Sequence, residues 1–244
     1  MTHGRTGVGP AGLARREEVQ AGLDAVRARI DDARRAAGRA DPVALVVVTK
    51  TFPASDVDIL AGLGVDDVAE NRDQEARAKR AECDDAAPLR WHMIGQLQRK
   101  KAGSVARWAD VVESVDRAEL VAPLDRAAQE AGRVLDVLIQ VSLDPDPVPG
   151  RGGAMPNELL SLADLVGAHP GLALRGVMGV APYPGDPDEA FARLQALSER
   201  LRADHPRADC ISAGMSGDLE QAVAHGATQV RIGGAVLGQR SYVQ

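Results

Sequence analysis

Aromatic side chains are nearly absent from this chain of 244 residues, at 2% of the sequence. The hydrophobic fraction is nevertheless 45%, so the core has to be built from Ala, Val, Leu and Ile. Only two cysteines are present, Cys83 and Cys210, and neither stands in a Cys-x-x-Cys or Cys/His pattern. We therefore expect two free thiols in a reducing cytoplasm, with neither a disulfide framework nor a metal site.

Two further absences limit the function classes. No apolar stretch approaches the length of a membrane span, and a net charge of −6 argues against a general nucleic-acid or anionic-membrane binder. The first residues are polar and Gly-rich, without the apolar segment of a signal peptide. We therefore expect a flexible leader over residues 1–12 and a cytoplasmic protein with neither a membrane nor a nucleic-acid partner.

Strand-like and helix-like patterns alternate along the rest of the chain. Residues 13–38 have the apolar spacing of an amphipathic helix. Apolar runs such as 43–49 and 134–143 then alternate with helical patterns, in about eight βα units without a break in composition. This order predicts a single α/β domain over residues 13–244, a (β/α)8 TIM barrel. An open doubly wound sheet is the alternative, although no G-x-G-x-x-G motif follows the first strand.

Polar residues gather at the predicted strand ends. Lys50 ends the first strand, and Glu70 and Asn71 end the second. His92 lies on the third strand and Glu113 on the fourth. Because the chemistry of a (β/α)8 barrel sits at the carboxyl ends of its strands, we expect the functional site there.

Two glycine-bearing segments follow the last two strands. SAGMSGD (212–218) precedes a helix, whose first N–H groups and dipole favour an anion. RIGGAVLGQR (231–240) contains a glycine pair that lets the backbone approach a ligand closely. Since barrels often bind phosphate after strands 7 and 8, the two segments together predict a site for a phosphate group.

Lys50 ends an apolar strand, where an unpaired ammonium is costly. It either pairs with a carboxylate at the barrel rim or acts as an amine that forms a Schiff base with a carbonyl. An aldehyde that carries a phosphate would use both Lys50 and the two glycine-bearing segments, and pyridoxal phosphate is such a molecule. Arg231, directly before the glycine pair, is placed to contact its ring nitrogen.

Seven ordered blocks of the sequence, from about residue 40 to the C-terminus, resemble the YggS/PROSC family of pyridoxal phosphate-binding, or pyridoxal phosphate homeostasis, proteins. The blocks are VVTKTFPAS, ENRDQEARAK, WHMIGQLQRKK, IQVS, GRGGA, GVMGVAP and SAGMSGDLEQAVAHGATQVRIGGAVLGQR. The resemblance implies a single barrel similar to the N-terminal domain of alanine racemase. It also implies that the cofactor is held as an internal aldimine on Lys50.

The resemblance further implies a set of cofactor-binding residues around Lys50. The phosphate would be held by Ser212, Met215, Ser216, Gly233 and Gly234, the ring nitrogen would face Arg231, and Asn71, Met178 and His92 would lie in or near the pocket.

Three positions depart from the family pattern. Ala69 stands where a glycine is common, Lys100 where an asparagine is usual, and Gly234 where a threonine is frequent. The last change removes one hydroxyl contact to the phosphate but leaves the backbone N–H donors.

The family's role implies vitamin B6 homeostasis without robust catalytic activity. We expect a monomer that stores pyridoxal phosphate or delivers it to apo pyridoxal phosphate enzymes. An Arg at the ring nitrogen disfavours its protonation, which makes a poorer electron sink. A racemase also needs acid/base groups on both faces of the cofactor, and the only tyrosines are Tyr183 and Tyr242. A weak pyridoxal phosphate-dependent amino-acid racemase and a cofactor-free Schiff-base aldolase acting on a sugar phosphate remain the alternatives.

Overall fold

Eight strands in the described part of the chain close into a parallel barrel. The computed structural model describes residues 10–83, 89–145, 148 and 150–238. Each strand pairs in parallel with the next, and β8 (Gln229–Ile232) pairs with β1 (Ala44–Val48) to complete the circle. The predicted (β/α)8 barrel is therefore confirmed, and the open-sheet alternative is wrong.

The element bounds follow the predicted alternation, with a helix after every strand. The other strands are β2 (Asp67–Glu70), β3 (Arg90–Met93), β4 (Val111–Val115), β5 (Leu135–Gln140), β6 (Leu172–Met178) and β7 (Cys210–Ser212). The helices are α1 (Pro10–Ala36), α2 (Ala54–Ala61), α3 (Asp73–Glu82), α4 (Ala102–Trp108), α5 (Val121–Glu130), α6 (Leu159–Gly167), α7 (Pro187–Asp204), α8 (Leu219–Ala224) and α9 (Gly234–Leu237).

The first helix begins earlier than the sequence pattern indicates. We predicted its start at residue 13, after a flexible leader over 1–12, whereas α1 already begins at Pro10. Residues 1–9 of the predicted leader lie outside the described residues. Helix α1 packs on the outside of the barrel, where Arg15 donates to a carboxylate oxygen of Asp56 at 2.7 Å and to the Leu237 carbonyl at 3.0 Å.

The apolar core lies between the barrel and the helices. Strand residues of one parity, such as Val47, Val68 and Ile232, are fully buried and face the helices. Helix residues such as Leu60 and Leu194 are also fully buried in the same cluster. Each such side chain contributes about 1.5–3 kcal/mol when it leaves water, so a core almost without aromatics can hold the barrel.

Residues of the other parity face the inside of the barrel, and many of them are polar. Small apolar clusters occupy two sides of the interior, Val46 with Val48 and Ala69, and Val111 with Leu138 and Met178. Strands β3, β4, β7 and β8 contribute buried polar side chains: His92, Glu113, Ser212, Gln229 and Arg231. Burial of polar side chains costs free energy unless they are hydrogen-bonded, so a barrel interior this polar indicates a functional role. It points to a site at the mouth of the barrel. No helix among the described ranges is long and apolar enough to cross a membrane.

Candidate functional site

Lys50 lies two residues beyond the end of β1, at the carboxyl end of the barrel. Val46 and Val48 face the interior, and the alternation of the strand continues this face to Lys50. Its side chain is exposed. It forms neither a hydrogen bond nor an ion pair with any residue that the structure describes, so the predicted pairing with a rim carboxylate is not seen.

The strands on either side of β1 bring two other predicted site residues to the same level. Val48 pairs with Ala69 on β2, so Lys50 and Asn71 both stand two residues beyond a paired position. On the β8 side, a Cβ at Gly233 would lie 3.1 Å from the carbonyl oxygen of Val48. The backbone after β8 thus packs closely against the end of β1, beside Lys50.

The two loops after β7 and β8 present backbone N–H groups at the same mouth. Gly214 adopts φ +92°, which turns the chain after β7. Ser216 and Gly217 follow, and both are exposed. The N–H groups of Ser216, Gly217 and Gly234 donate to no other described residue, and α9 begins at Gly234. Free N–H groups on two neighbouring loops suit an anion such as a phosphate.

Arg231 is the buried cation beneath these loops. Its two terminal nitrogens donate to Ser212 Oγ at 2.5 Å and to the Gly179 carbonyl at 3.0 Å. Burial lowers the pKa of Arg231, while Glu113 at 3.7 Å opposes that shift. Within the described ranges Nε–H forms no hydrogen bond, so this donor stays available to a bound acceptor.

Glu113 links these residues in the middle of the barrel. One of its oxygens accepts from His92 Nδ1 at 2.6 Å and from Gln229 Nε2 at 2.9 Å, and the other accepts from Ser212 Oγ at 2.6 Å. Burial by itself would raise the pKa of this carboxyl, but the hydrogen bond and charge of His92 and the charge of Arg231 hold it below its usual value. Glu113 is therefore a carboxylate that orients both Ser212 and Arg231.

His92 lies between two carboxylates. Its Nε2 atom is 2.9 Å from Asp67 Oδ1, and its Nδ1 atom contacts Glu113. Burial disfavours the imidazolium, but the hydrogen bonds to Asp67 and Glu113 outweigh it and raise the pKa of His92 to about 9. The raised pKa favours the imidazolium at neutral pH, in which both ring nitrogens donate.

The ten predicted site residues fall into two levels of the barrel. Lys50, Asn71, Met215, Ser216, Gly233 and Gly234 lie at the mouth. His92, Met178, Ser212 and Arg231 are buried below it. Ser212 donates its hydroxyl proton to Glu113 and accepts from Arg231, so its direct contact with a phosphate stays a prediction. The same holds for His92 toward the cofactor, because both of its ring nitrogens are engaged.

The sequence interpretation missed a second buried charge pair beside β1. It placed Glu70 at the mouth, but Glu70 shares its parity with Val68 and points outward beneath α3. Its Oε1 accepts from Lys79 Nζ at 2.5 Å and from Thr49 Oγ at 2.6 Å. Burial raises the pKa of Glu70, and these two hydrogen bonds oppose that shift. The strand alternation in DVAE was the signal that could have shown this orientation.

Comparisons with known proteins cover nearly the whole chain. Residues 22–241 match the family described as alanine racemase, N-terminal domain. The pyridoxal phosphate homeostasis protein of Mycobacterium tuberculosis is 46% identical, over 93% of this chain and 94% of the relative. The protein of the same description from Corynebacterium glutamicum is 42% identical, over 88% of this chain and 99% of the relative.

Two solved structures extend this likeness. PipY of Synechococcus elongatus, solved with pyridoxal phosphate bound, has a TM-score of 0.79 at 32% identity and covers 90% of this chain and 100% of its own. An alanine racemase of Clostridium difficile has a TM-score of 0.69 over 91% of this chain and 58% of its own. At 15% identity the second shows a shared fold alone. By its barrel and by these matches, the chain belongs to the YggS/PROSC family of pyridoxal phosphate homeostasis proteins.

Proposed function

We propose that this protein binds pyridoxal phosphate, with the Lys50 amine bonded covalently to the cofactor's aldehyde carbon, and serves vitamin B6 homeostasis rather than catalysis. The observation that carries the proposal is Lys50 itself, an exposed amine two residues beyond the end of β1 that forms no ion pair with a described residue. The loops after β7 and β8 offer free N–H groups at the same mouth. The binding of pyridoxal phosphate by PipY supports the choice of ligand.

The donors at the mouth fit the polar parts of this cofactor. The N–H groups of Ser216, Gly217 and Gly234 would hold the phosphate, since no described residue accepts from them. The Nε–H of Arg231 would face the ring nitrogen. Asn71 is half-buried beside Lys50 and would line the pocket. When bound, pyridoxal phosphate supplies an aldehyde for the lysine and a ring that withdraws electrons from it.

Arg231 favours a carrier over a catalyst. A guanidinium beside the ring nitrogen disfavours a proton on that nitrogen, because two cations would then be adjacent. The contacts with Ser212, the Gly179 carbonyl and Glu113 hold Arg231 in place. With the cofactor bound, Arg231 would disfavour a proton on the ring nitrogen and would thereby limit how well the ring stabilises a carbanion.

The residues around the mouth also favour a carrier. A racemase needs a second acid/base group opposite Lys50. Tyr183, in the loop after β6, is 94% exposed and has no hydrogen-bond partner among the described residues. Tyr242, the other tyrosine, lies outside the described residues. A weak racemase therefore ranks behind the carrier.

The proposed partners follow from a cofactor held at an open mouth. The protein would act in the cytoplasm as a monomer and pass pyridoxal phosphate to apo enzymes. Sedimentation of the loaded protein at a monomer's mass, and transfer of the cofactor to an added apo enzyme, would support this part of the proposal.

Removal of the Lys50 amine tests the proposal directly. With pyridoxal phosphate added, the wild type is expected to develop the long-wavelength absorbance band of a lysine-bound cofactor, and Lys50→Ala is expected to lack it. Lys100→Ala, which removes another exposed lysine, serves as the control and should keep the band. After borohydride reduction, mass spectrometry should find the cofactor on the peptide that contains Lys50.

Two outcomes would contradict the proposal. One is a wild-type protein that never takes up the cofactor, and the other is a Lys50→Ala protein with an unchanged band. Borohydride trapping of a sugar phosphate on Lys50 without cofactor would instead support the aldolase alternative.

A further inference from the structure

The backbone immediately after Lys50 adopts a conformation that its residue type disfavours. Thr51 has φ +68° and is the one non-glycine residue with positive φ in the described part of the chain. A β-branched residue is costly in this region, because its side chain crowds the backbone. Such a conformation persists only where the surroundings hold it, and it often marks a functional segment.

A carboxylate from the neighbouring helix holds this residue. The backbone N–H of Thr51 donates to Oε1 of Glu75, which lies in the first turn of α3. The same carboxylate is 3.4 Å from Nζ of Lys79, one turn further along the helix. The Thr51 backbone is thus tied to an ion pair on α3.

The residue before Lys50 is held by the same helix. The Thr49 carbonyl accepts from Lys79 Nζ at 2.7 Å, and the Thr49 hydroxyl donates to Glu70 at 2.6 Å. Thr49 and Glu70 are fully buried, and the Lys79 side chain is 6% exposed. Both neighbours of Lys50 are therefore tied to one charged cluster, which consists of Glu70, Glu75 and Lys79.

We propose that Glu75 and Lys79 are positioning residues for Lys50: they hold the backbone on both sides of it so that its amine points into the barrel mouth. Neither residue shares the inner face of the barrel, since both lie on α3 and act through the Thr49 and Thr51 backbone. Buried ion pairs add little net stability, so stability alone does not explain a lysine and two glutamates beneath α3. A role in positioning Lys50 does explain them. This inference rests on the proposed role of Lys50 as the cofactor's anchor.

Glu75 is the residue to change, because its side chain is 29% exposed and its loss leaves the Glu70–Lys79 pair in place. In Glu75→Ala the Thr51 N–H loses its hydrogen bond to a charged acceptor. The free energy of such a bond corresponds to about a tenfold change in an equilibrium constant. We expect the dissociation constant for pyridoxal phosphate to rise about tenfold. The rate at which the lysine-dependent absorbance band appears should fall in parallel.

Two matched variants separate positioning from general effects of the helix. Glu82→Ala removes the same side chain two turns further along α3, on the same cleft, and should bind as the wild type does. Glu75→Gln keeps an acceptor oxygen for Thr51 and should recover most of the affinity. Melting curves of the cofactor-free proteins show whether any loss of affinity merely follows a loss of stability.

The outcomes distinguish this inference from the function on which it rests. If the wild type lacks a Lys50-dependent band, the proposed function itself fails. If the wild type has the band and Glu75→Ala binds within twofold of Glu82→Ala, the inference is overturned and the function stands. A Glu75→Gln protein as weak as Glu75→Ala would also overturn it.

Discussion

At the residue scale, the charged side chains inside the barrel form one network of ion pairs and hydrogen bonds. His92 lies between Asp67 and Glu113, and Glu113 in turn faces Arg231. Buried ions are expensive to remove from water, and they persist here because nearly every donor has an acceptor at hydrogen-bond distance. Removal of one of these residues would leave another buried charge unpaired. The network beneath the proposed cofactor therefore depends on all of its members.

His92 makes the stability of the protein dependent on pH. Its pKa is raised from 6.5 to about 9 by folding, so its stabilising contribution is complete below pH 6.5 and is lost as the pH rises through about 9. A shift of this size corresponds to about 3 kcal/mol. We expect the free energy of unfolding, from urea titrations of the cofactor-free protein, to fall by roughly that amount from pH 6.5 to pH 9.

The partly buried histidine His225 supplies the control for this prediction. It contacts Asp188 at 3.1 Å with a quarter of its side chain exposed, so His225→Gln should show the same fall in stability as the wild type. A free energy of unfolding that stays constant from pH 6.5 to pH 9 would show that His92 is neutral in the folded protein.

At the element scale, β6 contains an irregularity that the sequence pattern does not reveal. Val137 pairs with Leu174, but Leu138 pairs with Gly176, so Arg175 is an extra residue on β6. Gly176 follows with φ +151°. A Cβ there would lie 1.9 Å from the Cys210 carbonyl oxygen on β7. At this bulge the backbones of β6 and β7 approach closely, and only glycine fits at position 176.

Substitution of Gly176 should therefore destabilise the barrel. In Gly176→Ala, either β6 or β7 has to move, and we expect the free energy of unfolding to fall by roughly 3 kcal/mol, as in other overpacked sites. The control is Gly103→Ala in α4, where a Cβ meets nothing within 4 Å. The free energy of unfolding of Gly103→Ala should rise by about 0.5–1 kcal/mol, because alanine is the better helix former. Equal stabilities of the two variants in urea would contradict the assigned bulge.

At the scale of the whole molecule, closure of the barrel creates the site. Lys50 and Arg231 are distant in sequence, and the pairing of Val46 on β1 with Arg231 on β8 places Arg231 on the inner face, below Lys50 at the end of β1. The loop after β7 joins them because β7 pairs with β8. The mouth thus brings together the Lys50 amine and backbone N–H groups that donate to no described residue, above the buried Arg231 guanidinium.

This mouth predicts how the loaded protein behaves toward amino acids. In the proposed complex Arg231 would oppose protonation of the cofactor's ring nitrogen, so removal of the proton from Cα of a bound amino acid should be slow. In D2O with alanine or serine, the pyridoxal phosphate-loaded protein should incorporate deuterium at Cα no faster than free pyridoxal phosphate does. NMR of the amino acid measures this rate, with Lys50→Ala as the control. Lysine-dependent exchange well above that of the free cofactor would favour the racemase.

Much of this architecture could be predicted without coordinates. Eight alternating units predicted the barrel, and Lys50 and the glycine-bearing loops were predicted at its mouth, because strand ends and loop positions follow from chain order in a closed parallel sheet. Orientation was less predictable. Glu70 was expected at the mouth but points outward, because successive residues of a strand point to opposite faces and a shift of one residue reverses the orientation.

The sequence by itself determined the order of the elements, the branched aliphatic core and the strand end that carries Lys50, because these depend on local periodicity and composition. Only the tertiary structure decided which groups pair. The bonds of Glu113 to His92 and Ser212, and of Glu75 to Thr51, join residues 21, 99 and 24 positions apart. Such contacts depend on strand register and on how α3 packs against β1, which no local pattern encodes.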